Sequence, residues 1–298
     1  MQLKYRVFVY GTLRKHEYNH SLLEDSKLLI SQASINGTLY DTGMGYPMIT
    51  DQEIGVTYGE VYEINEKVLE KLDELEGYDE SRKENLYIRK KKEIYTDEGV
   101  LEAFVYVMNT SNQHMLKKRI ASGDWKLYQW MSNRPDIFYY FAYGSCMDEE
   151  RFITHDVVHY FKKVIGVGKL QKYELSFSLH RPDGGRADIK ETDDSVEGIV
   201  YELPIAALDY LLDREGVLDD VYRPIFLDVE INNKVYKDIF SFTVVSKEEE
   251  IAPPDHYALE ILRGSYGRVT GTYYTRLTNK MLDLGVDVGK LESTIRMT

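Results

Sequence analysis

The chain has 298 residues, of which 43% are hydrophobic and 29% charged, and this balance is typical of soluble globular domains. The formal net charge of −13 argues against nucleic acid or an anionic membrane as a partner, because both are bound by clustered Lys and Arg. The single cysteine excludes an intrachain disulfide, and no apolar segment is long enough for a signal peptide or a membrane span, so we expect a cytosolic protein.

The first half of the chain is dominated by strand patterns. Apolar runs predict strands at 5–10, 35–40, 58–64, 86–95 and 101–108. Asn65 can cap a helix over 66–76, whose apolar residues form one stripe, and Gly77 ends that helix. A closing helix is predicted at about 112–130.

The second half repeats this order of elements. Strands are predicted at about 138–143, 170–179, 196–203, 225–232 and 235–245. Pro204 is placed to open a helix over 205–215. The polar, proline-containing segment 132–136 is typical of a linker, so we expect two domains, at 1–132 and 137–298. Each would be α+β, with consecutive strands that pair antiparallel and can close into a small barrel.

Sequence motifs support a duplication more directly than the element order does. Four motifs recur in the same order, at 7–13 and 139–146 (VFVYGTL, YYFAYGSC), 59–64 and 198–203 (GEVYEI, GIVYEL), 72–77 and 211–216 (LDELEG, LLDREG), and 120–125 and 261–266 (IASGDW, ILRGSY). Solenoid repeats are about 20 to 50 residues long, so a period this long indicates duplicated domains.

The repeated Tyr-Gly-Thr/Ser motif follows the first predicted strand of each half. A glycine there lets the backbone turn where a side chain would clash. Successive N–H groups in such a turn can converge into an anion-binding nest. The alternative is an ordinary turn at the end of a strand, and the presence of two copies favours the functional interpretation.

A glutamate ends the predicted helix of each half, directly before a glycine. These residues are Glu76, before Gly77, and Glu215, before Gly216. The helix dipole favours cations at the C-terminus, so an acidic residue there is locally unfavourable and suggests a function. A solvated glutamate among other charges is the alternative.

Together these motifs resemble the γ-glutamylcyclotransferase-like superfamily. YGTL at 10–13 and EGY at 76–78 are similar to its AIG2-like branch, as is SGDW at 122–125. YGSCM at 143–147 and Glu215-Gly216 resemble the γ-glutamylcyclotransferase branch proper, which has Tyr-Gly-Ser-Asn. Pro254, Tyr257, Ile261 and Gly264 also fit that branch.

The resemblance implies a small mixed β-barrel with flanking helices and a central cavity in each half. It also implies that the α-amine of a γ-glutamyl group attacks its own γ-carbonyl, which forms 5-oxoproline and releases an amine or amino acid. Glu76 and Glu215 would be the catalytic acid/base residues. The glutamyl group would be bound by the turn residues, which are Tyr10, Gly11, Thr12, Leu13, Tyr143, Gly144, Ser145 and Cys146.

General chemistry agrees with this implication. An α-amine is mostly protonated near neutral pH and then has no lone pair for attack, so a base must remove its proton. A glutamate in a partly apolar cavity has a raised pKa and can both accept that proton and return it to the departing nitrogen. The reaction requires no metal or organic cofactor, and its only expected partner is a small γ-glutamyl molecule.

The two halves are not equivalent, which leaves alternatives open. Cys146 stands where its branch has Asn, and the equivalent residue in the first half is Leu13. Val217 replaces Tyr78. We therefore expect the first domain to be the active one. The alternative is a tandem module that binds γ-glutamyl ligands or serves as a structural pair, with one or both sites inactive. The leaving group and the oligomeric state remain open.

Three other features have simpler interpretations. HEYNH at 16–20 matches a zinc-protease motif, but it lies in a polar stretch without a third ligand, so we expect no metal. Cys146 could be a nucleophile, yet the first copy has Leu13 there, which favours a buried small side chain. The basic run at 89–92 is expected to be a solvated strand face, and Tyr87 and Arg89 are candidates for packing or site support.

Overall fold

The computed structural model describes residues 3–51, 54–82 and 84–297, and it divides into two compact units within 1–133 and 134–298. Each unit contains a closed five-stranded barrel with helices beside it. The predicted α+β class and the tandem barrels are thereby confirmed. None of the helices in the described ranges is long and apolar enough to cross a membrane.

The barrel of the first unit is closed by one parallel strand pair. Its elements are β1 (Lys4–Val9), β2 (Lys27–Asn36), β3 (Leu39–Asp41), β4 (Pro47–Ile49), β5 (Val56–Asn65), α1 (Glu66–Leu75), β6 (Tyr87–Thr96), β7 (Gly99–Met108), β8 (Lys118–Arg119) and α2 (Trp125–Asn133). The barrel order is β1-β5-β2-β6-β7, and β1 meets β7 in parallel at Val7 and Phe104. A small sheet, β4-β3-β8, accompanies the barrel.

The second unit repeats this barrel and adds helices at its C-terminal end. Its elements are β9 (Ile137–Ala142), α3 (Glu149–Thr154), β10 (Val164–Arg181), β11 (Gly184–Pro204), α4 (Ala207–Arg214), β12 (Tyr222–Ile231), β13 (Lys234–Val244), α5 (Asp255–Ser265), α6 (Gly271–Asp283) and α7 (Val288–Ile295). Strand β9 lies between β11 and β13, as β1 lies between β5 and β7. The duplication therefore extends to the strand order.

Helix α1 forms where the sequence predicts it. The Asn65 side chain accepts a hydrogen bond from the Val68 N–H at 3.0 Å, which caps the first turn. Leu69 and Leu72 are buried and fix the helix against the barrel. Gly77 has a left-handed φ of +59°, so the chain turns away directly after Glu76. This places Glu76 at the C-terminal end of the helix.

The glycines that begin the second repeated motif have the same role in both barrels. A Cβ on Gly59 would lie 2.3 Å from the Val9 carbonyl oxygen, and a Cβ on Gly198 would lie 2.3 Å from the Ala142 carbonyl oxygen. Either distance is shorter than any real contact, so only glycine allows β5 and β11 to approach the first strand of their barrel.

The predicted closing helix at 112–130 is wrong over its first half. A 3-10 helix covers Thr110–Met115, β8 follows, and α2 begins only at Trp125. Gly123, with φ +64°, turns the chain so tightly that a Cβ there would lie 2.0 Å from the Val56 oxygen. Pairing with the small sheet overrides the helical pattern of this segment.

Other element limits also differ from the sequence pattern. The strand predicted at 35–40 is divided, because β2 ends at Asn36 and β3 begins at Leu39. The predicted helix 205–215 begins at Ala207, since Pro204 still pairs with Ile137 in the barrel. Strands β10 and β11 are 18 and 21 residues long, because polar residues between the two predicted strands pair with each other as a hairpin. The helices α5, α6 and α7 were not predicted.

The basic run at 89–92 lies on β6 and is paired with acidic side chains. Arg89 forms an ion pair with Asp73, and both Lys90 and Lys92 contact Asp51. These contacts fit a charged strand face.

Candidate functional site

A cavity of about 230 Å³ opens at the end of β1 in the first unit. The sequence-predicted residues of this half all line it, namely Tyr10, Gly11, Thr12, Leu13 and Glu76. The volume is somewhat below the range of about 300–1,000 Å³ that is usual for drug-sized ligands. The cavity is therefore of a size for a small ligand.

Glu76 is placed in this cavity without a protein partner. Within the described ranges, no group forms a hydrogen bond or an ion pair with its carboxyl group. Burial raises the pKa of Glu76 to about 8. Burial, together with the nearby Glu76 charge, also raises the pKa of Tyr10 and of Tyr46. A carboxyl group in this state can accept and return a proton near neutral pH.

The turn at 10–13 is held by its own hydrogen bonds and by Asn19. The Arg14 N–H donates to the Gly11 oxygen at 3.0 Å, and the Asn19 N–H donates to the Thr12 oxygen at 2.8 Å. The Asn19 side-chain amide donates to Thr12 Oγ1 at 2.9 Å. The N–H groups of residues 11–13 find no acceptor in the part of the chain that the structure covers, so they are available to an anionic ligand group.

Gly11 is required by a close approach and not by a left-handed φ. A Cβ at this position would lie 2.8 Å from Pro47 Cγ and 2.9 Å from Pro47 Cδ. The Pro47 oxygen in turn accepts a hydrogen bond from the Tyr87 hydroxyl at 2.8 Å, and both residues line the cavity. Gly11 thus allows the turn and the opposite wall of the cavity to touch.

Replacing Gly11 with Ala should therefore distort the turn. We expect ligand binding at this cavity to weaken by about tenfold or more. An extra methyl group in a tight contact displaces the backbone, and such overpacking costs about 1–3 kcal/mol of free energy. Calorimetric titration with 5-oxoproline, the expected product, would measure the effect. Adding Pro47→Ala, which removes the clashing ring atoms, should restore part of the affinity. Unchanged binding by Gly11→Ala alone would contradict the steric argument.

Tyrosines anchor the cavity walls to the barrel. The Tyr10 hydroxyl donates to the Tyr106 carbonyl oxygen at 2.7 Å, and the Tyr106 hydroxyl donates to Asp73 Oδ1 at 2.7 Å. Asp73 is also paired with Arg89, whose guanidinium lies 5.1 Å from the centre of the Tyr78 ring. Arg89 therefore supports the wall of the cavity without lining it.

A buried ion cluster behind the turn was not predicted. Arg14 Nε lies 3.2 Å from Glu60 Oε1, and Arg14 Nη1 lies 2.8 Å from Asp124 Oδ1. Glu60 Oε2 also accepts the Lys15 N–H at 2.8 Å. The signal was present in the motifs, because all three charged residues directly follow or belong to repeated segments. The cluster ties the turn to β5 and to the start of α2.

The equivalent site in the second unit is nearly closed. Its cavity measures about 30 Å³ and is lined by the predicted residues Tyr143, Gly144, Ser145, Cys146 and Glu215. The anchoring is preserved, since the Tyr143 hydroxyl donates to the Phe242 oxygen at 2.9 Å. The backbone of this site is therefore built like the first, although its interior is different.

Arg214 occupies the interior of the second site. Its Nε lies 3.3 Å from Glu215 Oε1 and 3.1 Å from Cys146 Sγ, and its Nη2 donates to Ser145 Oγ at 2.8 Å. Sequence reasoning missed this residue, although it stands directly before Glu215 in a repeated motif. Burial raises the pKa of the Cys146 thiol, which disfavours the nucleophilic thiolate.

The two histidines of the HEYNH motif do not lie on one helical face. His16 has a left-handed φ of +69°, and His20 begins a 3-10 helix with its Nδ1 3.2 Å from the Leu13 oxygen. The zinc-protease motif needs both histidines on one continuous α-helix. The local geometry is therefore that of a turn behind the cavity.

Comparison with known proteins identifies the family. Residues 7–127 match the family described as "Gamma-glutamyl cyclotransferase, AIG2-like", and residues 195–277 match the "AIG2-like family". The chain is 42% identical over 280 residues to the protein named "Putative gamma-glutamylcyclotransferase YkqA" from Bacillus subtilis (strain 168). The aligned region covers 93% of this chain and 98% of that protein. The crystal structure of YkqA superposes with a TM-score of 0.85, at 41% identity, over 95% of this chain and 99% of that chain.

A second relative matches a part of the chain about as long as one unit. The "Gamma-L-glutamyl-butirosin B gamma-glutamyl cyclotransferase" of Niallia circulans is 39% identical over 124 residues, which is 41% of this chain and 76% of that protein. Three findings agree, namely the two family matches, the similarity to YkqA over nearly the whole chain, and the shared fold. The chain belongs to the γ-glutamylcyclotransferase-like superfamily, as a tandem pair of AIG2-like domains.

Proposed function

We propose that the first unit is a γ-glutamylcyclotransferase, which converts a γ-glutamyl group to 5-oxoproline and releases an amine or amino acid. The observation that carries the proposal is the unpartnered Glu76 carboxyl group, which shares a 230 Å³ cavity with the turn at 10–13. Glu76 is partly buried, and a carboxylate that is withdrawn from water is normally paired. Its missing partner is then the α-ammonium group of the substrate.

The first step is a proton transfer. The α-ammonium group of the substrate gives a proton to the Glu76 carboxylate, which leaves a lone pair on the nitrogen. That nitrogen attacks the γ-carbonyl carbon of the same molecule and closes a five-membered ring. Holding a flexible γ-glutamyl chain in this folded conformer supplies several kcal/mol of the barrier reduction.

The second step breaks the old amide bond. The carbonyl oxygen carries a negative charge in the tetrahedral intermediate, and the free N–H groups of residues 11–13 can stabilise either this charge or the α-carboxylate. Glu76 then returns its proton to the departing nitrogen, and the carbonyl re-forms. The attacking nitrogen loses its second proton, which also passes to the departing amine. The products are 5-oxoproline and an ammonium ion, and Glu76 is again a carboxylate, so atoms and charge balance without a metal or organic cofactor.

The composition of the cavity favours an amine as leaving group. Its lining includes Tyr46, Leu75, Leu86 and Tyr106, and among the described lining residues none is Lys or Arg. An amino-acid leaving group would bring a second carboxylate, which this wall cannot pair. The name of the Niallia circulans relative, a protein acting on a γ-glutamylated butirosin, points the same way.

The second unit is the weaker candidate for turnover. We propose that 1–132 and 137–298 act as separate domains, with Glu215 and the turn at 143–146 forming the counterpart site. Its small cavity and the Arg214–Glu215 ion pair favour the alternative that this domain is inactive.

The decisive experiment is an assay of 5-oxoproline release. The full chain would be incubated with a panel of γ-glutamyl amines and γ-glutamyl amino acids in the presence of a metal chelator. We expect turnover of the amines in particular. No 5-oxoproline from any member of the panel would refute the proposed function.

Glu76 should also make the stability of the first unit depend on pH. Burial raises its pKa to about 8, whereas a glutamate in an unfolded chain titrates near about 4.3. The folded unit therefore holds the proton more tightly. This stabilisation is fully present below about pH 4.3 and is lost as the pH rises through about 8, with a slope of at most about 1.4 kcal/mol per pH unit.

Glu76→Gln removes this dependence because glutamine does not ionise. We therefore compare the melting temperatures of the variant and the natural chain at each pH. The variant's melting temperature minus that of the natural chain should increase between about pH 5 and about pH 9. Both tryptophans, Trp125 and Trp130, lie in the first unit, so tryptophan fluorescence reports its unfolding. A difference that stays constant with pH would show that Glu76 has an ordinary pKa.

A further inference from the structure

We propose that Arg214 is a built-in occupant of the second site, whose guanidinium takes the place of the α-ammonium group of a γ-glutamyl ligand and keeps such ligands out. The ligand class rests on the proposed function of the first unit. The exclusion itself rests on geometry and charge in the second unit alone.

The two sites differ at the residue before the glutamate. Leu75 and Arg214 occupy the same place in the repeated motif, at the end of α1 and α4 respectively. Leu75 lines an open cavity in which Glu76 has no partner. The second cavity, which contains Arg214 at the equivalent position, has a volume of about 30 Å³, whereas the first has about 230 Å³. The smaller volume holds about one water molecule.

Arg214 also satisfies the groups that a ligand would need. Its guanidinium contacts Glu215, Ser145 and Cys146 at once, and only 14% of its side chain is exposed. A substrate ammonium would have to displace the guanidinium from Glu215. The displaced cation would then be buried without a counterion, which is strongly unfavourable.

The consequence is one γ-glutamyl site per chain. Arg214 decides this, because the turn, the anchoring tyrosine and the glutamate are all retained in the second unit. The Tyr222 hydroxyl donates to the Ala187 oxygen at 2.7 Å, as Tyr87 donates to Pro47 in the first unit. Replacing Arg214 with Leu, the residue of the first copy, should therefore reopen a site that is otherwise complete.

The chain contains a reporter for this opening. Cys146 is its single cysteine, is buried, and contacts the Arg214 guanidinium at 3.1 Å. In the natural chain we expect slow labelling of the thiol by iodoacetamide. Arg214→Leu should accelerate labelling by at least tenfold, and saturating 5-oxoproline should slow it again.

The direction of this change separates access from reactivity. Burial raises the pKa of the Cys146 thiol, and the Arg214 guanidinium offsets part of this increase, so loss of that cation by itself makes the thiolate scarcer and the intrinsic reaction slower. In a folded variant, faster labelling then comes from an opened cavity and not from a more reactive thiol. Arg214→Lys, which keeps the cation, should label slowly. So should Arg276→Leu, which removes an exposed arginine paired with Asp194 in the same unit.

Arg214→Leu leaves Glu215 buried without its cation and could destabilise the unit, so Arg214→Leu with Glu215→Gln is the second variant. It removes both charges and should show the same acceleration with a native circular dichroism spectrum. Slow labelling in both variants would overturn the proposal, as would fast labelling that 5-oxoproline does not reduce. Neither outcome depends on turnover, so failure of this inference is distinguishable from failure of the proposed function.

Discussion

Glu76→Gln should reduce kcat/KM for 5-oxoproline release by about 10²–10⁴-fold, the contribution typical of a positioned general acid or base. Glutamine keeps the shape of the side chain and cannot accept the proton of the α-ammonium group. The natural chain should also show an acid limb in its pH profile. Because burial raises the pKa of Glu76 to about 8, kcat/KM should increase with pH up to that value. The variant should lack this limb.

Two matched variants make the result specific to Glu76. Glu74→Gln makes the same change at an exposed position of the same helix and should leave activity unchanged. Glu215→Gln makes it in the second site, where Arg214 already holds the carboxylate, and should also retain activity. Full activity in Glu76→Gln, with activity lost in Glu215→Gln, would move the chemistry to the second unit.

Arg14→Met should destabilise the first unit by about 3–5 kcal/mol, because it removes the guanidinium that lies between two buried carboxylates. Only 6% of the Arg14 side chain is exposed, and Glu60 and Asp124 are equally buried. Chemical denaturation followed by tryptophan fluorescence would measure the loss, since Trp125 lies next to Asp124. A loss below about 1 kcal/mol would show that the cluster is not required for the fold.

Lys4→Met is the matched control for the Arg14 variant. Lys4 also pairs with a glutamate, at 2.5 Å between Lys4 Nζ and Glu63 Oε1, but 67% of its side chain is exposed. An exposed pair contributes about 0–1 kcal/mol, so this variant should unfold almost as the natural chain does. Adding Glu60→Gln and Asp124→Asn to Arg14→Met removes the buried charges and should recover much of the lost stability.

Local sequence signals were sufficient for the features that depend on neighbouring residues. The Asn65 cap, the apolar stripe of α1 and the left-handed Gly77 are all encoded within one short segment, and the structure has them. The repeated motifs likewise indicated the tandem barrels. The closing helix was mispredicted because distant contacts of Gly123 with Val56 decide that segment, and no local pattern records such a contact.

Sequence reasoning also proposed which turn and which glutamate belong together, but only the folded chain brings Glu76 and the turn to one cavity. The Arg14 cluster joins residues separated by 46 and 110 positions, so although all three lie in or beside repeated motifs, only the fold brings their charges together. The exchange of Leu75 for Arg214 was visible in the duplicated motif. The effect of this exchange on the cavity was not visible in the sequence. Whether a side chain fills a cavity depends on where the surrounding strands place its partners. Packing and charge pairing across the barrel therefore decide what two nearly identical motifs can do.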